Sequence, residues 1–185
     1  MSHDVGAPSE WVVRWAPLIA ARGRVLDLAC GLGRHARWLA GRGLEVLAVD
    51  RDPAARAALE GVAGVEVRIA DLEGAPWPFE PEEFDALVVA NYLHRPLFPR
   101  LLEALRPEGV LIYETFAAGN ERYGKPSNPD FLLQPNELLD RTRALRTVAF
   151  EQGRVERPKP AVIQRICAVR AGDWSKIDLG IDYGA

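Results

Sequence analysis

The stretch Arg24-Val25-Leu26-Asp27-Leu28-Ala29-Cys30-Gly31-Leu32-Gly33-Arg34-His35-Ala36 constrains this chain more than any other. An apolar run carries a carboxylate near its end, passes through a turn of small residues and opens a helix. In an α/β sheet that order puts backbone amides and one acid at the carboxyl end of a central strand. Nucleotide-like ligands bind at that edge.

The rest of the chain repeats the alternation. Ser9 is placed to cap a helix from Glu10, where Trp11, Trp15, Leu18 and Ile19 recur at helical spacing as a core stripe. Gly23 ends this N-terminal helix, which is expected to make up the segment 1–23. Buried strands are predicted at 25–28, 44–49, 65–69, 84–90 and 110–113, and helices at 33–39, 53–59, 97–105 and 137–141. Pro107-Glu108-Gly109 reads as the turn into the fifth strand. Pro76, Pro78 and Pro81 keep residues 73–81 irregular. The runs 145–151 and 161–169 read as a terminal hairpin that adds one antiparallel strand. The fold class is therefore α/β, a doubly wound, mostly parallel Rossmann-like sheet with helices on both faces. At 185 residues and 48% hydrophobic, the chain suits a single domain across 1–185, with 171–185 as a polar peripheral tail.

Three acids follow three of these strands. Asp27, Asp50 and Asp71 fall at one carboxyl edge of a parallel sheet, although each taken alone could merely cap a turn. Asp50 lies about twenty residues beyond the glycine turn, where it can accept both hydroxyls of a ribose. Asp71 can accept an adenine amine. Asp27, inside the turn, suits a cationic group and disfavours a phosphate.

Gly31-Leu32-Gly33-Arg34-His35-Ala36 satisfies the dinucleotide pattern G-x-G-x-x-G/A, so an NAD(P) site must be weighed. Asp27 would crowd a pyrophosphate, no later region supplies a catalytic domain, and Tyr123 is followed by Lys125 rather than by Tyr-x-x-x-Lys. The chain instead resembles the class I S-adenosylmethionine-dependent methyltransferases from about residue 25 to 116. Asp27-Leu28-Ala29-Cys30-Gly31-Leu32-Gly33, Leu47-Ala48-Val49-Asp50, Ala70-Asp71-Leu72, the run from Phe84 to His94 and Leu105-Arg106-Pro107-Glu108-Gly109-Val110-Leu111 match its motifs in order. Among subfamilies, the small tellurite-resistance-type methyltransferases look most similar. The resemblance implies a sheet of about seven strands with the last antiparallel, and S-adenosylmethionine as cofactor. It implies that Asp27 and the amides of Ala29, Cys30, Gly31 and Gly33 hold the methionine portion. Asp50, with Arg51 beside it, would take the ribose, Asp71 and Leu72 the adenine edge, and Asn91 would lie near the sulfonium. Ala29 stands where the family usually has glycine, which is expected to be tolerated at negative φ.

The acceptor should approach beside the fourth and fifth strands. His94 is the candidate base there, because an unperturbed imidazole titrates near pH 6.5. Glu114 can orient substrate, and Tyr123 lies in the irregular segment 117–135, whose length favours a substrate lid. A net charge of -3, no appended RNA-binding module and no Asn-Pro-Pro-Tyr-type motif favour a small-molecule acceptor over RNA or protein. A noncatalytic binder of S-adenosylmethionine or NAD is the remaining alternative. The scattered histidines show no metal-ligand spacing, so no metal is expected. Two cysteines and the lack of a signal or membrane-length apolar run predict a cytoplasmic protein that does not engage membranes.

Overall fold

The structure, a computed structural model, describes residues 6–172. The predicted tail from 173 onward lies outside the described residues. Seven strands form one sheet in the order β3-β2-β1-β4-β5-β7-β6. They are β1 (Arg24–Leu28), β2 (Glu45–Asp50), β3 (Val65–Ile69), β4 (Phe84–Ala90), β5 (Leu105–Phe116), β6 (Arg146–Val155) and β7 (Ala161–Val169). Strands β1 to β5 run parallel, and β7 pairs antiparallel with both β5 and β6. The single reversed strand follows from the tight return between β6 and β7, since antiparallel neighbours need no crossover.

The strands are apolar on both faces because both faces are covered. Leu26, Leu28, Leu47, Val49, Leu87 and Val89 pack on one side under α4 (Phe98–Ala104) and α5 (Glu137–Arg141). Val25, Val46, Ala48, Ala86 and Val88 pack on the other under α1 (Glu10–Trp15), α2 (Arg34–Ala40) and α3 (Ala54–Leu59). Ser9 caps α1 by accepting the Trp11 N–H, and the Trp11 Nε1–H donates to the Ile166 carbonyl at 3.2 Å. That bond and the burial of Trp11 and Trp15 lock the first helix across the sheet.

Residues 106–109 do not form a turn ahead of a strand. Leu105 already pairs with Phe84, and pairing resumes at Val110 opposite Ala86, so 106–109 bulge out within β5. The bulge is held from outside: the Arg106 guanidinium bonds Asp85 Oδ2 at 2.8 Å, and Arg170 grips the Leu105 carbonyl. Glu108 takes the left-handed conformation at φ +64° to make the detour.

Candidate active site

The carboxyl ends of β1 to β4 open onto one cavity of about 380 Å³, within the range of small-molecule sites, about 300–1,000 Å³. Ala29, Asp50, Arg51, Asp71, Leu72 and Asn91 line it together. Thr115 and Phe116 at the end of β5 add to its wall, and Pro126 and Phe131 complete it from the 117–135 segment.

Asp27, Cys30, Gly31 and Gly33 do not line this cavity; they build the turn beside it. Chain reversal between β1 and α2 needs left-handed backbone three times, with Ala29 at φ +55°, Gly31 at +55° and Gly33 at +79°. The expectation of a negative φ at Ala29 is thus overturned. The alternation of the reversal sets that angle, and an alanine there carries strain of about 1–2 kcal/mol. At Gly33 any Cβ would come within 2.4 Å of the Leu59 side chain of α3, so the turn packs directly on that helix. Three of the four amides expected to cradle a ligand are engaged by the protein itself. Cys30 N–H donates to the Val49 carbonyl at 3.0 Å, Gly31 N–H to Asp50 Oδ2 at 2.7 Å and Gly33 N–H to the Cys30 carbonyl at 2.9 Å. Burial pushes the Cys30 thiol well above its ordinary value, which keeps it protonated and unreactive.

Asp27 sits between Ala48 of β2 and Val88 of β4 and is 1% exposed. Burial pushes its carboxyl up to about 7, against the backbone hydrogen bond at Ala36 and the nearby Arg34 charge. Its Oδ2 has no hydrogen-bond partner. A buried acid left one donor short is the kind of site that a cationic or N–H-bearing group completes.

Asp50 and Asp71 do double duty. Asp50 Oδ1 accepts the Asp52 N–H at 2.9 Å, and Asp71 Oδ1 accepts those of Glu73 and Gly74 at 3.0 and 3.3 Å. Each carboxylate therefore also caps its own turn. Every oxygen offers roughly two acceptor positions, so capping leaves room for a ligand hydroxyl or amine. Asn91 is exposed and left-handed at φ +57°, with its N–H given to the Glu114 carbonyl at 3.0 Å. Strained backbone at a strand end beside a cavity is a common mark of a ligand site.

The three predicted catalytic residues stand outside the cavity wall. His94 follows the lining residue Leu93, its Nδ1 3.8 Å from Oε2 of the lining Glu73, an ion-pair distance too long for a hydrogen bond. Glu114 accepts the Asn91 N–H at its carbonyl and does not line the cavity. Tyr123 is 40% exposed and stacks under the Arg154 guanidinium at 5.3 Å.

Sequence reasoning passed over Glu73, Arg95, Pro126 and Phe131. Glu73 lines the cavity and accepts the Tyr92 hydroxyl at 3.1 Å, and burial followed by the Glu73 charge drives that phenol's pKa up. Its only sequence signal was its place two residues after Asp71. Arg95 fixes the 117–135 segment. Its guanidinium donates to the Asp130 carbonyl at 2.5 Å, the Leu132 carbonyl at 2.8 Å and both oxygens of Glu137 at 2.8 and 2.9 Å. Burial alone would raise the Glu137 carboxyl, but hydrogen bonds from Arg95, the Gln134 backbone and Arg141 hold it down at about 2. Asn120, 1% exposed, ties the same segment to β7 by donating to the Pro126 carbonyl and accepting the Val162 N–H.

Among the described residues, no cluster of three His, Cys, Asp or Glu side chains could hold a metal ion, and no helix is long and apolar enough to cross a membrane.

Comparison with known proteins points one way. A family model described as a methyltransferase domain matches residues 25–109, the stretch that carries β1 to β4 and their turns. No curated protein matches the chain in sequence. The fold is shared with TehB from Haemophilus influenzae, at 18% identity over 91% of this chain and a TM-score of 0.76. The chain spans 64% of the length of that protein. A SAM-dependent methyltransferase from Methanosarcina mazei superposes with a TM-score of 0.69 at 15% identity, covering 91% of this chain and 100% of its own. The 1,6-didemethyltoxoflavin-N1-methyltransferase of Burkholderia thailandensis, solved with 1,6-didemethyltoxoflavin and S-adenosylhomocysteine bound, matches at 19% identity and a TM-score of 0.66. That match covers 88% of this chain and 76% of the other.

Proposed function

We propose that this chain, a member of the class I S-adenosylmethionine-dependent methyltransferases, transfers a methyl group to a small-molecule acceptor held beneath the 117–135 segment. The observation that carries the cofactor assignment is Asp27. Its carboxyl is buried, raised toward neutrality and short of one donor. An N–H donor such as the methionine ammonium fits that deficit, whereas a dinucleotide pyrophosphate carries no donor to meet it. The residues present therefore fit S-adenosylmethionine.

Asp50, with Arg51 beside it, is assigned to the ribose, and Asp71 with Leu72 to the adenine edge. Asn91 is assigned to the sulfonium end of the cavity. When bound, the cofactor supplies an electrophilic methyl on a cationic sulfur. The residues of the chain contribute position and dryness. Leu72, Leu93 and Thr115 are buried members of the wall, and such a wall excludes water from a reaction in which charge is cancelled rather than created. His94, beside the lining residues Leu93 and Glu73, is assigned to take a proton from the acceptor. A small acceptor is supported by the size of the cavity, about 380 Å³, at whose far end the Arg95 and Asn120 clamps fix Pro126 and Phe131 in the wall. The methyltransferase of Burkholderia thailandensis, similar in fold, was solved with a small molecule in place.

Calorimetric titration with S-adenosylhomocysteine and with NADH tests the cofactor. Binding of the first alone is expected; tight NADH binding without it would falsify the assignment. Asp50→Ala should weaken S-adenosylhomocysteine by about 1–3 kcal/mol through loss of a buried acceptor, and an unchanged affinity removes Asp50 from the site. Methyl label from the cofactor should enter a low-molecular-weight fraction of cell extract. Label in RNA or protein alone would overturn the small-molecule assignment.

A further inference from the structure

The cavity has a far end that the cofactor assignment leaves over, and its chemistry is uneven. Leu93, Phe116, Pro126 and Phe131 supply apolar surface there. Phe131 is 52% exposed, yet its backbone is fixed on both sides. Arg95 grips the carbonyls on both sides of it, Asp130 and Leu132, while Asn128 accepts the Asp130 N–H at 3.0 Å. Phe131 thus presents an open ring face on a fixed turn at the cavity edge, a surface suited to stacking against a flat apolar ligand.

The charge lining the cavity as a whole is mostly acidic: Asp50, Asp71 and Glu73 stand against one lining cation, Arg51. With Asp50 and Asp71 assigned to the cofactor, Glu73 is the charged group left to face an acceptor. One of its oxygens takes the Tyr92 hydroxyl and the other lies 3.8 Å from His94. A carboxylate in that position repels an anion and welcomes a hydroxyl, an amine or an ammonium.

We propose that the acceptor is a small molecule built on an aromatic ring and bearing no net negative charge, its ring against Phe131 and Phe116 and its polar group toward Glu73. This rests on the methyltransferase assignment, since it takes the Asp50 end as occupied by the cofactor.

Tyramine and 4-hydroxyphenylacetate share a ring and differ in the sign of charge, which makes them a matched pair of probes. Both are titrated into the full chain by calorimetry, with and without S-adenosylhomocysteine. Tyramine should bind about tenfold more tightly than the acid, the size expected for exchanging a favourable charged contact for a repulsive one. Phe131→Ala should weaken tyramine about tenfold and leave S-adenosylhomocysteine affinity unchanged. Glu73→Gln should bring the two probes within about threefold of each other. Because Phe131 is half exposed, its truncation leaves the core intact, and an unshifted melting temperature verifies this. Equal or tighter binding of the acid, tyramine binding indifferent to Phe131→Ala, or no binding of either ring compound would each overturn the proposal. Failure of S-adenosylhomocysteine to bind while tyramine still outbinds the acid would overturn the methyltransferase assignment and leave the ring site standing.

Discussion

The two ends of the cavity are built by different means. At the β1–β3 end the acids are held mainly at short range: Asp50 caps Asp52 and Asp71 caps Glu73, both two residues on, and the longer tie is that of the Gly31 N–H to Asp50, across 19 residues. At the β4–β5 end the wall is held from afar. Arg95 reaches Asp130, Leu132 and Glu137 across 35 to 42 residues, and Asn120 reaches Val162 across 42. Local turns make one end a standard part, whereas long-range clamps make the other specific to this chain. Such a division suits a domain that keeps one cofactor and changes its acceptor.

The largest expected effect separates two buried titratable groups at the first end. Asp27, raised to about 7, and His35, lowered to about 3 by burial and then by the Arg34 charge, lie in β1 and α2. For Asp27 the folded form holds a proton that the unfolded form has lost, so its contribution falls as pH rises from about 4 to 7. His35 runs the other way. The unfolded imidazole binds a proton that the folded one refuses, so its contribution grows as pH rises from about 3 to 6.5. His35 Nε2 accepts the Ser9 N–H at 3.2 Å, which requires the neutral ring. The opposed slopes mask each other in the intact protein and emerge in variants. Asp27→Asn should gain stability over the parent as pH rises from 4 to 8, by on the order of 4 kcal/mol, read by urea unfolding across pH. A pH-independent difference would mean that Asp27 is already ionised in the folded state. The same variant should bind S-adenosylhomocysteine more weakly.

Next in size is the clamp at the other end. Glu137→Ala leaves Arg95 and Arg141 without their shared carboxylate and frees the turn that presents Phe131. The cost should be about 2–3 kcal/mol, as for hydrogen bonds to charged groups, with the partly exposed geometry keeping it below that of a sealed pair. Cofactor affinity should stay within about twofold while acceptor binding collapses. Parallel loss of both would show that the two ends are one cooperative unit, and the contrast between them would fail.

The same contrast explains what the sequence disclosed. The sheet, its order of elements and the placing of Asp50 and Asp71 at one edge were legible because each rests on a short pattern of an apolar run, an acid and a turn, whereas Asp27 lies inside β1, buried beside the cavity rather than lining it. Leu105 pairing ahead of its bulge was not legible, since Pro107-Glu108-Gly109 is turn chemistry and the bulge is stabilised by Arg170, far along the chain. Phe131 and Arg95 were equally hidden. A phenylalanine in a proline-rich segment and an arginine before a proline acquire meaning only when the fold sets them together.

Ala29 offers the smallest effect and the finest test of the local end. Two opposed magnitudes decide its sign. Relief of a left-handed alanine is worth about 1–2 kcal/mol, while the added backbone freedom of glycine in the unfolded chain costs about 0.4–1 kcal/mol. Ala29→Gly should therefore stabilise the protein by about 0.5–1 kcal/mol in chemical unfolding. Ala29 also packs against the buried cluster of Leu28 and Val49 and lines the cavity, so its methyl has a second role to lose. A net destabilisation would show that this contact outweighs the strain. The alanine would then be holding the cavity wall, and the turn at this end would be fitted to its ligand by packing as well as by backbone geometry.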